Sequence, residues 1–218
     1  MRFVLVLVAA SFVAWSFSAC GSSSAPKSFC DTACSDQPVK FNHPHPDSPF
    51  VTISFKGCNP DTISWSNKLL ETTRKMGYME LVGKEARINK DFISCYFKDT
   101  SYAWLKYNDC ITGRGFLVKL PYSKSDKWSI YTSALNNFDK KFSVEEGVIA
   151  YYDETFIYAQ NMENGKIDRM LLNNTKLDID HNNVHGTFDS INVSKTRIWA
   201  NIKIDHQFQA KEKKIKIE

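Results

Sequence analysis

The chain has 218 residues, 43% of them hydrophobic and 24% charged, with a mean hydropathy of −0.36. That balance excludes a disordered chain and a multi-span membrane protein. The 28 basic and 24 acidic residues leave a formal charge of +4, too slight a surplus for the concentrated basic face that nucleic acid requires. Among the first nineteen residues only Arg2, Ser11, Ser16 and Ser18 fall outside the hydrophobic class, so the rest of the chain is more polar than the average.

Met1-Arg2 leads into an apolar run over residues 3–10 and 12–15. The run is shorter than the about 20 apolar residues a membrane-spanning helix needs, and it has the length and basic start of an export signal. It ends in Phe17-Ser18-Ala19-Cys20-Gly21, after which the composition turns to Ser22-Ser23-Ser24-Ala25-Pro26. Small residues directly before Cys20, at the end of such a run, resemble the lipobox of bacterial lipoprotein precursors. The resemblance covers residues 1 to about 25, with Phe17 standing where an aliphatic residue is usual. It implies cleavage after residue 19, acylation of Cys20, and a membrane anchor of several acyl chains, each buried CH₂ contributing about 0.8 kcal/mol. By the same analogy, Gly21 in place of an acidic residue implies the outer membrane, facing the periplasm. The alternatives are an ordinary secretory signal, which makes the mature protein a secreted one, and a retained membrane anchor.

Six cysteines, at positions 20, 30, 34, 58, 95 and 110, lie in the first half of the chain, and export makes disulfides their expected state. If Cys20 is acylated, then Cys30, Cys34, Cys58, Cys95 and Cys110 form at most two bridges and leave one thiol. If it is not, three bridges are open. Cys95 and Cys110 bracket one strand turn and its return, and are the pair expected.

Residues 20–48 read as the acylated cysteine, a tether and an irregular lead-in, because Pro38, Pro44 and Pro46 forbid regular structure over much of the span. One domain over 49–218 follows. Its first strand is expected at 50–55, ended by Gly57. Asp61 then caps a helix to about Met76, with Trp65, Leu69 and Met76 on one face and Gly77 as the stop, although Thr62-Ile63-Ser64-Trp65 equally suits a strand. Strands at 92–97, 102–107 and 116–120 form a meander, and those at 148–152, 155–159 and 167–171 form a second, with Asn164-Gly165 as a hairpin signal. Long strands at 188–193 and 197–204 follow, with another at 214–217. The fold class is mainly β: an antiparallel sandwich or open barrel, with propeller-like meanders and one short helix.

Few constellations point to chemistry. Cys30 and Cys34 followed by His43 and His45 gather ligand types suited to zinc or copper, at a spacing that matches no standard finger. Asp178, Asp180 and Asn182, with Asp189 at the twelfth place, resemble a calcium loop, but Asn183 stands where glycine makes the turn and His185 replaces an aliphatic. Asp153-Glu154 and Glu145-Glu146 read as solvated turns. Nucleophile elbow, zincin pair and phosphate loop are all missing from the sequence. Aromatics around 102–107 and 151–158 either fill a β core or offer a stacking surface for sugars or a partner protein. From Lys195 onward, seven basic and three acidic residues suggest a charged edge strand. The function expected is a lipid-anchored envelope protein that binds a small ligand or an envelope protein, with no cofactor and no catalysis. The alternatives are an envelope hydrolase acting on glycan or peptidoglycan, and a metal-binding module.

Overall fold

In the computed structural model the described residues are 28–31, 37–70 and 72–218. They form four four-stranded sheets and no closed barrel, so the mainly antiparallel β fold is the one expected. The first sheet is β1 (Val39–Asn42), β2 (Phe50–Lys56), β3 (Asn59–Ser66) and β4 (Arg74–Gly77), in that order. A five-residue helix, α1 (Tyr78–Val82), leads to the second, β5 (Ile93–Lys98), β6 (Tyr102–Asn108), β7 (Gly115–Pro121) and β8 (Ser129–Tyr131), also in chain order. Then come β9 (Ala134–Leu135), β10 (Phe142–Val144), β11 (Val148–Tyr152), β12 (Phe156–Asn161), β13 (Ile167–Leu171), β14 (Phe188–Val193), β15 (Arg197–Ile204) and β16 (Gln207–Lys214). The third sheet runs β13-β12-β11-β9 and the fourth β10-β14-β15-β16, with β10 parallel to β14.

Three cores join these sheets pairwise. Val51, Ile53, Ile63 and Trp65 of the first sheet pack on Leu105, Tyr107, Phe116 and Val118 of the second. Ala150, Ile157 and Ala159 of the third pack on Phe188, Ile191, Ala200 and Ile202 of the fourth. A smaller cluster of Trp104, Leu117, Ala134, Ile149 and Met162 closes the seam between the second and third sheets. The sequence pattern follows the layering. Strand β15 alternates buried and accessible residues along its length, whereas β6 and β7 are apolar on both sides because they lie in a middle sheet. Each fully buried Val, Ile or Phe in these cores contributes on the order of 1.5–3 kcal/mol.

Both meanders form as expected, β5-β6-β7 and β11-β12-β13. The helix expected over 61–76 does not. Ile63 and Trp65 are buried while Thr62 and Ser64 face outward, so the period-two reading of β3 wins over the helical one, and Leu69 is exposed. Gly77 precedes the short helix instead of ending it, and Gly83, at φ 69°, supplies the left-handed stop. Within the expected lead-in, β1 pairs with β2. The strand expected at 214–217 does not form; the last strand is β16, which ends at Lys214 and is reached from β15 by a two-residue turn in which Asp205 and His206 both take positive φ. Ile215 and Ile217 bury beyond its end. At Asn164-Gly165 only Gly165 takes positive φ, so that connection is a longer loop than a two-residue turn.

Cys30 bonds to Cys110, Cys58 is also disulfide-bonded, and Cys95 is free. The expected Cys95–Cys110 pair is therefore wrong. In the β5–β6 register Cys95 stands opposite Leu105, while Cys110 lies in the loop beyond the end of β6. Burial among the first core's side chains pushes the Cys95 thiol up, so it stays protonated. Cys20 and Cys34 lie outside the described residues, as does the whole lipobox. Among the described residues no helix is long and apolar enough to cross a membrane.

Candidate functional site

Three loops converge at one end of the first two sheets around a cavity of about 910 Å³. The chain after β7, residues 121–128, forms one wall. Arg74 pins it: a single guanidinium nitrogen donates to the carbonyl oxygens of Pro121, Ser123 and Asp126 at 2.9, 2.7 and 3.2 Å. The Trp65 indole N–H also donates to the Pro121 carbonyl at 2.8 Å, and Arg74 lies over the Trp65 ring, so the two side chains hold the wall as one unit. The segment after β3 forms the second wall. Here the Asn67 side chain accepts from the N–H groups of Leu69 and Leu70 and donates to the Thr100 carbonyl. That last bond ties it to the third wall, the β5–β6 turn, where Asp99 takes a positive φ of 44°.

The lining is polar and aromatic. Hydroxyl-bearing side chains are those of Thr100, Ser101, Tyr102, Tyr122, Ser123 and Ser125, and the one carboxylate among the described residues is that of Asp126. Two lysines, Lys119 and Lys127, also line it. Lys119 sits on β7 between Trp104 and Ser129 in register. Its ammonium lies 4.3 Å from the centre of the Tyr102 ring and 5.8 Å from that of Trp104, so aromatic faces hold it. The Tyr102 hydroxyl donates to the Met162 carbonyl at 3.0 Å across the seam, and burial pushes its pKa up, so it stays a neutral hydroxyl.

From Tyr102 a line of rings crosses the seam. Tyr102 meets Trp104 edge-on at 6.1 Å, Trp104 meets Tyr131 at 6.2 Å, and Tyr131 and Tyr151 stack at 4.2 Å. Tyr151 then stacks on Tyr158 at 4.8 Å, Tyr158 meets Phe156 edge-on, and the Arg169 guanidinium covers Phe156 at 4.1 Å. Tyr107 and Tyr152 are core residues, as the core-filling reading expects, while Tyr102, Tyr151 and Tyr158 stay partly accessible. Lys106 faces the same seam, where burial pulls its ammonium pKa down against the opposing pull of Glu146.

Of the residues singled out as metal ligands, Cys34 lies outside the described residues, His43 and His45 stack on each other with ring centroids 6.3 Å apart, and Asp180 and Asp189 of the second set are each bound to other partners. His43 stacks on Phe97, and the His45 Nδ1 accepts from the Asp47 N–H at 3.1 Å. Asp180 accepts from the Asn182 N–H in its own turn, whereas Asp189 sits on β14 between the Lys141 ammonium and the Asn201 amide, each 3.2 Å away. His185 turns to the buried Asp139, its Nε2 2.8 Å from that carboxylate. Among the described residues no three His, Cys, Asp or Glu side chains are placed to hold a metal ion. The paired carboxylates diverge: Asp153 caps its own turn and Glu154 pairs with Lys176 at 3.0 Å. Glu145 accepts from the Lys195 N–H at 2.9 Å.

Sequence reading missed Lys119, Lys127 and Asp126. For Lys119 a signal existed, a lone lysine inside the otherwise apolar Phe116-Leu117-Val118-Lys119-Leu120. The loop residues carried none, because their proximity depends on Arg74, some fifty positions away. Fold and site together define an all-β protein whose stacked sheets carry a loop-walled, lysine- and tyrosine-lined cavity at one end. Compared with known proteins, the chain matches no family model, no curated protein and no solved structure.

Proposed function

We propose that this chain is the precursor of a lipid-anchored cell-envelope protein whose β domain binds a small ligand in the cavity beside Tyr102, without chemistry of its own. The observation that carries the binding half is the construction of that cavity: its walls are pinned by Arg74, Trp65 and Asn67, and its polar groups point to a preformed site. The anchor half rests on Ser18-Ala19-Cys20 at the end of the apolar run. Disulfide bonding of Cys30, Cys58 and Cys110 suits an exported chain. Binding is preferred over glycan hydrolysis because hydrolysis takes two carboxyl groups across the scissile bond, and among the described residues Asp126 brings the one carboxyl that lines this cavity.

Two measurements test the reading. Mass spectrometry of the native protein is expected to find an acylated Cys20 at the amino terminus, and a Cys20→Ala variant is expected to lose the acyl mass and leave the membrane fraction. A mature wild-type chain that begins elsewhere or carries no acyl group overturns the anchor. For the cavity, saturation-transfer NMR with a panel of sugars, short peptides and nucleotides is expected to show at least one compound whose signal a Tyr102→Ala variant abolishes. A panel with no binder, or binders indifferent to Tyr102, overturns the binding site.

A further inference from the structure

We propose that the ligand of this cavity is a saccharide bearing an anionic group, a carboxylate or a phosphate; the proposal rests on the reading of the cavity as a ligand site. Charge is the first argument. Two lysines line the cavity against one carboxylate, and neither Lys119 nor Lys127 has an acidic partner within ion-pair distance among the described residues. The side chain of Lys119 is held over two aromatic rings, which fix its position, and among the described residues no carboxylate pairs with its charge. A positioned, uncompensated ammonium in a half-enclosed polar site favours an anion, and the attraction weakens as salt screens it.

The remaining lining argues for a saccharide over a bare anion. Hydroxyls of Ser101, Ser123 and Ser125 both donate and accept, and Asp126 accepts only. That mixture answers the alternating donors and acceptors of sugar hydroxyls. Tyr102 adds an aromatic ring, partly accessible, for the apolar face of a sugar ring. A volume of about 910 Å³ lies near the upper end of small-molecule sites and far exceeds what one phosphate would fill.

Isothermal titration of the mature chain at low salt separates the possibilities, with four probes: a glucuronic acid-containing disaccharide, glucose 6-phosphate, maltose and inorganic phosphate. One of the two anionic sugars is expected to bind at least about tenfold more tightly than maltose, and which one does so identifies carboxylate or phosphate as the group read. Lys119→Gln is expected to remove most of that preference. Exposed Lys127→Gln, which leaves the core untouched, is expected to weaken it less. Raising the salt concentration is expected to reduce binding of the charged sugar and leave that of maltose unchanged. Maltose binding as tightly as both anionic sugars overturns the charge assignment while the binding site stands. Inorganic phosphate binding as tightly as glucose 6-phosphate overturns the saccharide. If none of the four binds, the proposal fails, and the NMR panel decides separately whether the cavity binds anything.

Discussion

Gly115 has no room for a methyl group. A Cβ placed on it would meet the Ala134 carbonyl oxygen at 2.1 Å, a backbone atom that cannot swing aside, because β7 and β9 press together where the second and third sheets meet. Gly115→Ala is therefore expected to destabilise the fold by about 1–3 kcal/mol or more, as overpacking does. Gly77→Ala serves as the control: its nearest neighbour is the flexible Glu80 carboxylate at 3.4 Å and its backbone is extended, so urea titration should show a change within about 0.5 kcal/mol. Equal losses in the two variants would show that the close approach of β7 to β9 is not what confines Gly115. The same scale explains why some residue roles stayed hidden in the sequence. His185 read as a misfit in a calcium loop, yet its Nε2 faces Asp139, 46 positions earlier, and its Nδ1 faces the Phe188 carbonyl. Nothing local to residue 185 announces so distant a partner, whereas the lysine inside β7 was visible as an anomaly in an apolar run.

At the scale of elements, strands were legible where both faces of a sheet obey one rule. The segments 148–152, 167–171, 188–193 and 197–204 are strands with the bounds that alternation and turn residues assign them. Short strands such as β8, β9 and β10, two or three residues each, are too brief to carry a period and depend on their partners. Turn chemistry was legible too, and one turn carries a pH prediction. Burial opposes ionisation of Asp153, but the Tyr158 hydroxyl and the N–H groups of Thr155 and Phe156, with Arg169 near, outweigh it and hold the carboxyl below its ordinary 3.8. A folded-state value lower than the unfolded one means stability that is present above about pH 4 and lost as the pH falls below it. Asp168, hydrogen-bonded by Lys213 at 2.7 Å, is depressed in the same sense. Asp153→Asn keeps an acceptor for the turn and removes the charge. Its stability deficit against the wild type, measured in urea, is expected to shrink between pH 6 and pH 3; a deficit unchanged over that range would show that the carboxylate's charge does not hold the β11–β12 turn.

For the whole molecule the cysteines tie the export reading to the fold. The Cys30–Cys110 bridge closes 80 residues, attaching the start of the described chain to the loop beyond β6. A loop of that length is worth about 4–5 kcal/mol in the chain-entropy account, an addition to two substantial cores and no substitute for them. The pairing also limits what Cys20 can do. Cys30 and Cys110 are spent on each other, Cys95 is free and held protonated inside the first core, and Cys58 is bridged. Two cysteines of the sequence, Cys20 and Cys34, are then left to supply the partner of Cys58. An acylated thioether sulfur cannot form a disulfide, so the proposed lipoprotein requires Cys58 to pair with Cys34. Proteolysis of the native protein without reduction, followed by mass mapping, is expected to yield a Cys30–Cys110 peptide, a Cys34–Cys58 peptide and an unmodified Cys95. A peptide joining Cys20 to Cys58 would leave no sulfur for the acyl chains, and the membrane anchor would fall while the cavity and its ligand remained to be judged on their own binding measurements.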